Sequence, residues 1–152
     1  MRLVTMFSAI GVAVAVLFSA YVRLAPSEPA TWHVDPRKVQ NPQPGGSYLL
    51  RDEPPADGPA VTFDEPPEDV LARLDRVAMA APRVTRLAGD PASGHVTYVA
   101  RSAIFGFPDY ISVVAWPVAG GARLAIYSRL RYGSSDLGVN RKRIESWLES
   151  VI

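Results

Sequence analysis

A chain of 152 residues with 48% hydrophobic side chains, three Trp, six Tyr and five Phe holds enough apolar material for one packed domain, which excludes a chain disordered throughout. Sixteen basic against fifteen acidic side chains leave a formal charge of +1, so the basic footprint of a nucleic-acid binder is missing. The lack of Cys excludes disulfide frameworks, thiolate nucleophiles, zinc-thiolate sites and lipidated cysteines.

The uncharged run Leu3–Val22, LVTMFSAIGVAVAVLFSAYV, lies between Arg2 and Arg23. At 1.5 Å per helical residue it covers roughly 30 Å, the thickness of a bilayer's hydrocarbon core. Residues 1–24 are therefore read as one uncleaved transmembrane anchor. A cleaved signal peptide starts the same way, but the small residues its cleavage site needs are hard to place: Phe18 with Ala20, or Arg23 with Ala25, both fail. The short basic start puts the domain outside, in the periplasm against the inner membrane if the cell is Gram-negative. Arg23, Arg37 and Lys38 pull the other way under the positive-inside tendency. Gly11, Ala15 and Ser19 recur every four residues, a spacing that lets a second transmembrane helix approach closely.

Residues 25–60 contain eight Pro, at 26, 29, 36, 42, 44, 54, 55 and 59. Neither a helix nor a central strand survives that density, so the segment reads as a Pro-rich linker. Trp32 and Tyr48-Leu49-Leu50 are apolar handles in it, available to the domain, the membrane interface or another subunit. His33 reads as a solvated residue. It is far in sequence from His95, so no histidine-based metal site or triad is implied.

Residues 61–152 read as an α+β domain: an antiparallel sheet of about four to five strands packed by two helices in two layers. In FDEPPEDVLARLDRVAMAAP, Asp64 can cap, Pro66 and Pro67 suit a first turn, and Val70, Leu71, Leu74, Val77 and Ala78 form an apolar stripe. Four strands follow, RVTRLAG, HVTYVARSA, YISVVAWPV and ARLAIYSRLR, rich in β-branched and aromatic residues and joined by short turns, which favours a meander. A last helix is expected over 137–151, with Leu137, Ile144, Trp147, Leu148 and Val151 facing the core.

The stretch Tyr127–Ile144 concentrates five cations and one acid. Strand alternation puts Leu124, Ile126, Ser128 and Leu130 on the core face, and Arg129 and Arg131 side by side on the other. Gly133 turns the chain, and Ser135 or Asp136 can cap the next helix. Two readings follow. In the first, Asp136 fills the helix's amide donors while Arg129, Arg131 or Arg143 pairs with Asp136 or Asp109, making a structural latch. In the second, free amides beside guanidinium forks, with Asn140, bind a small anion or lipid. An Asp109–Asp136 pair could do acid–base work, but the neighbouring cations are expected to lower both pKa values. The Gly-Pro turn FGFPD carries Phe105 and Phe107, as a cover on one end of the core or an exposed contact patch.

FGFPD followed by YSRLRYGSSDLGVNRKRI resembles the signature of the bacterial and plastid family called domain of unknown function 1499. The positions that carry it are Phe107, Pro108, Asp109, Ser128, Arg129, Arg131, Gly133, Ser135, Asp136, Gly138, Asn140, Arg143 and Ile144. The likeness covers residues 61–152. The chain departs from the pattern at Tyr127, where Arg is usual, at Leu130 for a usual Ser, and at Tyr110 for a second acid. The resemblance implies a small envelope- or membrane-associated domain and brings no activity, substrate or cofactor.

The expectation is a non-catalytic, single-span accessory protein that contacts the bilayer and a larger membrane or envelope complex. The alternatives are an anion- or lipid-binding module at the Arg-rich turn and an uncharacterised hydrolase. No catalytic residue, cofactor, metal or nucleic-acid partner is assigned.

Overall fold

The computed structural model describes residues 2–152, with side chains throughout except at positions 2–5 and 9. Helix α1 spans Arg2–Leu24, and its window Met6–Leu24, of mean hydropathy 1.9, is long and apolar enough to cross a membrane. Signal sequences share that property. A single turn, α2 (Pro29–Trp32), and a 3-10 turn at Pro36–Lys38 follow.

Six strands form one antiparallel sheet: β1 (Ser47–Leu50), β2 (Val61–Phe63), β3 (Val84–Asp90), β4 (His95–Arg101), β5 (Pro108–Val118) and β6 (Gly121–Leu130). The order is β1-β6-β5-β4-β3, with β2 also pairing β6. The last four strands make the expected meander. The two short ones divide the outer edge of β6: Ser47–Leu50 face Arg129–Ile126, and Val61–Phe63 face Leu124–Ala122. Gly121 permits the second pairing, because a Cβ there would lie 1.9 Å from the Phe63 carbonyl oxygen.

Helices α3 (Pro67–Ala80) and α4 (Val139–Glu149) cover one face of the sheet. The core between them holds Val70, Leu71, Leu74 and Ala78 from α3, and Ile144, Trp147 and Leu148 from α4. Val96, Tyr98, Ile111, Val113, Leu124 and Ile126 meet them from the strands. Each fully buried Leu, Ile or Val contributes about 1.5–3 kcal/mol relative to exposure. Tyr98 packs edge-on against Trp147 at 5.7 Å and donates its hydroxyl to Asp75 at 2.9 Å.

Two helix starts differ from expectation. Pro66 holds the cap position of α3, where its carbonyl accepts from Asp69 and Val70, and Asp64 makes no cap. Helix α4 begins two residues later than expected because Leu137 (φ 53°) and Gly138 (φ 79°) are left-handed. Leu137 consequently points to solvent, 88% exposed, instead of joining the core.

The segment 25–60, expected as a linker, is docked. It supplies β1 and lies across the second face of the sheet, so Tyr110, Ala125, Tyr127 and Arg129 are buried there. The sheet thus has helices on one side and proline-rich chain on the other. Arg51, 4% exposed, ties this chain together by donating to the carbonyls of Glu53, Pro36, Arg37 and Pro55.

Candidate functional site

The sheet splits the arginine stretch into two clusters, one per face. Strand alternation sends Arg129 to the face under residues 26–40. Its Nη2 donates to the Trp32 carbonyl, and its Nη1 to Ser112 Oγ at 3.1 Å and the Tyr127 carbonyl at 3.2 Å. The guanidinium lies 4.7 Å from the Tyr127 ring, while the Trp32 ring stacks on Tyr110 at 3.9 Å. Among the described residues no carboxylate pairs with Arg129. Burial pushes its pKa down to about 10, so it stays charged at neutral pH and its charge is met by carbonyl dipoles and aromatic faces. Arg131 is half-buried beside it and donates to the Pro26 carbonyl at 2.9 Å and to Tyr110 Oη at 3.1 Å.

The other cluster joins the turn to α4. Asp136 accepts from the amides of Gly138 and Asn140, at 2.9 and 2.7 Å, and so fills the donors at the helix start. Ser135 Oγ accepts from the Leu137 amide at 3.3 Å. Arg143 donates to Asp109 at 2.9 Å and to Asn140 Oδ1 at 2.7 Å, and Ser128 Oγ donates to the same oxygen. Asn140 is fully buried and its Nδ2 has no partner among the described residues. Asp109 departs from expectation: burial raises its pKa, and the opposing pull of Arg143 does not cancel that.

The two histidines also depart from expectation. His33 is half-buried, bonded through Nδ1 to Thr97 Oγ1 at 2.8 Å, and stacked on His95 with ring centroids 3.7 Å apart. The docked segment brings the two rings together, a convergence invisible to local pattern. A face-to-face stack aims the two rings' nitrogens along their edges, and among the described residues no group of three or more His, Cys, Asp or Glu forms a metal-binding cluster.

Of the three destinations open to Trp32, its ring meets the domain, stacking on Tyr110. Phe107 is half-buried and meets Phe18 of α1 edge-on at 5.9 Å, and Phe105 is 40% exposed. Ser19 donates to the Phe105 carbonyl at 3.2 Å, and Arg23 to the Ile104 carbonyl at 2.8 Å. Gly11 and Ala15, from the same small-residue row as Ser19, are exposed. Sequence reasoning missed Arg51 and this joint between α1 and the β4–β5 loop. Neither leaves a local trace: Arg51 stands next to Asp52 and Glu53 in the sequence yet bonds backbone carbonyls instead.

Residues 29–151 match the family described as Protein of unknown function (DUF1499). The chain belongs to this family. The DUF1499 match begins at Pro29, so it takes in the docked segment as well as the sheet and helices. No curated protein matches the chain. Among solved structures, the chain is similar to the crystal structure of protein MLL2253 from Mesorhizobium loti, with a TM-score of 0.50 and 12% identity over 69% of this chain and 93% of that one. At that identity the likeness concerns the fold. The rings of Tyr110 and Tyr127 pack around Arg129 and Trp32.

Proposed function

We propose that this DUF1499 protein is a non-catalytic accessory subunit, anchored by an uncleaved α1, that holds its domain close against the outer face of the membrane for a larger membrane or envelope complex. The observation that supports this is the joint at the end of α1. Phe18, Ser19 and Arg23 all engage the loop between β4 and β5, and Val22 is fully buried. Residues 26–32 then run straight onto the sheet through Pro26, Ser27 and Trp32. A domain coupled in this way has a set orientation to the bilayer, which suits a subunit better than a module on a long tether.

The anion-binding alternative at the Arg-rich turn has less support, because Asp136 occupies the helix amides and Arg129, Arg131 and Arg143 each spend donors on protein acceptors. For a hydrolase, Asp109 is a carboxylate whose pKa burial raises, but it is bound to Arg143.

The test is affinity purification of the tagged full-length protein from mildly solubilised membranes, beside a form beginning at residue 25. A stoichiometric complex retained by the full-length protein and weakened without the anchor is the expected result. Recovery of the protein alone from both preparations overturns the proposal.

A further inference from the structure

The last turn of α1, the start of β3 and the end of β4 meet around a cleft of about 380 Å³ lined by Arg23, Arg83 and Arg101, with Thr85 and Ser102. We propose that this cleft binds the headgroup phosphate of an anionic phospholipid in the leaflet beside the domain. The inference rests on α1 being a membrane anchor and adds a ligand to that reading.

Charge is the first argument. No acidic residue lines the cleft, and among the described residues none of the three arginines forms an ion pair. Arg37, Arg86, Arg123 and Arg141 elsewhere on the surface each have a carboxylate. At the cleft the arginines bond only backbone carbonyls. Arg23 donates to Ile104 and Phe105, Arg83 through Nε to Arg101 at 3.2 Å, and Arg101 through Nη1 to Gly106 at 2.9 Å. These bonds fix the stems. Nη1 of Arg23, both terminal nitrogens of Arg83 and Nη2 of Arg101 make no bond to the described residues. Guanidinium forks held in this way match the paired oxygens of a phosphate.

Position selects a lipid over a soluble anion. Arg23 stands at the end of the apolar window Met6–Leu24, the level at which headgroups meet hydrocarbon. The loop beside it presents Ile104, 77% exposed, and Phe105, 40% exposed. An acyl chain below the phosphate gives these side chains an apolar neighbour; a free phosphate does not. Gly106 makes the close approach possible: its φ is 76°, and a Cβ there would lie 2.7 Å from Arg23 Cγ.

Native mass spectrometry of the full-length protein, released from micelles containing phosphatidylglycerol or phosphatidylcholine, tests the site. The expected result is roughly tenfold greater retention of phosphatidylglycerol, in line with charge-assisted bonding. Arg101→Gln and Arg83→Asn both reduce retention to the phosphatidylcholine level, and Arg141→Gln on the exposed face of α4 leaves it unchanged. Arg83→Asn guards against loss through misfolding, because Arg83 has φ 60° and Asn accepts that conformation readily. Equal retention of the two lipids overturns the proposal, as does full retention by Arg83→Asn. A rise in melting temperature with inorganic phosphate equal to that with phosphatidylglycerol also overturns it, in favour of a soluble-anion site. Failure of the anchor reading is separate: alkaline carbonate would then release the protein from membranes, whereas failure of the lipid site leaves it embedded.

Discussion

His33 and His95 lie face to face, 3.7 Å between ring centroids and 16° between planes, one from the docked segment and one from the first residue of β4. Burial lowers the pKa of both, and the charge of His33 lowers that of His95 further. The folded state therefore prefers the neutral pair. Unfolded imidazoles take up protons near pH 6.5, before the folded ones do. Stability from this pair is complete above about pH 7, begins to be lost as the pH falls below about 6.5, and is gone once the pH has fallen through the lower folded values.

The expected outcome is a melting temperature that falls between about pH 7 and pH 5.5 more steeply in the wild type than in His95→Gln, whose side chain does not titrate. Differential scanning fluorimetry across that range reads it. Parallel curves would mean that the stack carries no proton linkage.

Removing Arg129 exposes how the docked segment is held. Arg129→Ala removes the closer donor to the Trp32 carbonyl, leaving it the Ser112 hydroxyl at 3.3 Å, and takes a donor from Ser112 Oγ; it is expected to cost about 3 kcal/mol, the upper range for charged hydrogen bonds. Arg129→Lys recovers little of this, because an ammonium cannot span the same carbonyls or stack on Tyr127. Urea midpoints give the cost. Limited proteolysis should show earlier cutting within residues 25–45, and a variant cut as slowly as the wild type would place the clamp elsewhere.

Asp109 and Arg143 are 16% and 17% exposed and 2.9 Å apart. Losing either partner alone should destabilise by about 2 kcal/mol or more, because the remaining charge is left partly buried. A double-mutant cycle with Asp109→Ala and Arg143→Ala should return a coupling of about 1–3 kcal/mol. A coupling near zero would reduce the pair to coincidence of position.

Leu137 combines φ 53° with 88% exposure, an unfavourable backbone with no packing in return. Leu137→Asn, suited to the left-handed region, should stabilise the domain by about 0.5–1 kcal/mol. A lower denaturation midpoint for the variant would show that Leu137 makes a contact its exposure conceals.

Much of the meander and the two helices that cover it, α3 and α4, could be read from local periodicity. The apolar stripe Val70, Leu71, Leu74 and Ala78 repeats at helical spacing, and Leu124 and Ile126 alternate into the core. Strands β1 and β2 escaped notice because four and three residues are too few to show a period, and the prolines around them argue against a sheet. Alternation also sorted Tyr127 and Arg129 correctly onto the second face, but says nothing of what covers it. Arg129 on a sheet surface reads as solvent-facing until its partner, the Trp32 carbonyl, is known. At the turn, Asp136 was legible as a capping residue because its chemistry is local. The stacked histidines and the Arg23, Arg83 and Arg101 cleft were not, since each depends on segments that meet only in the folded chain.

Trp32 and Arg129 are 97 residues apart in sequence. During synthesis the first segment of the domain leaves the ribosome long before the strand that receives it exists. It must wait with no β6 to pair to. Its prolines suit that interval, because a chain that cannot complete a hydrogen-bond ladder resists pairing with a neighbouring molecule's strand edge. Seating it is consequently a late event, possible only once the end of β6 has been made.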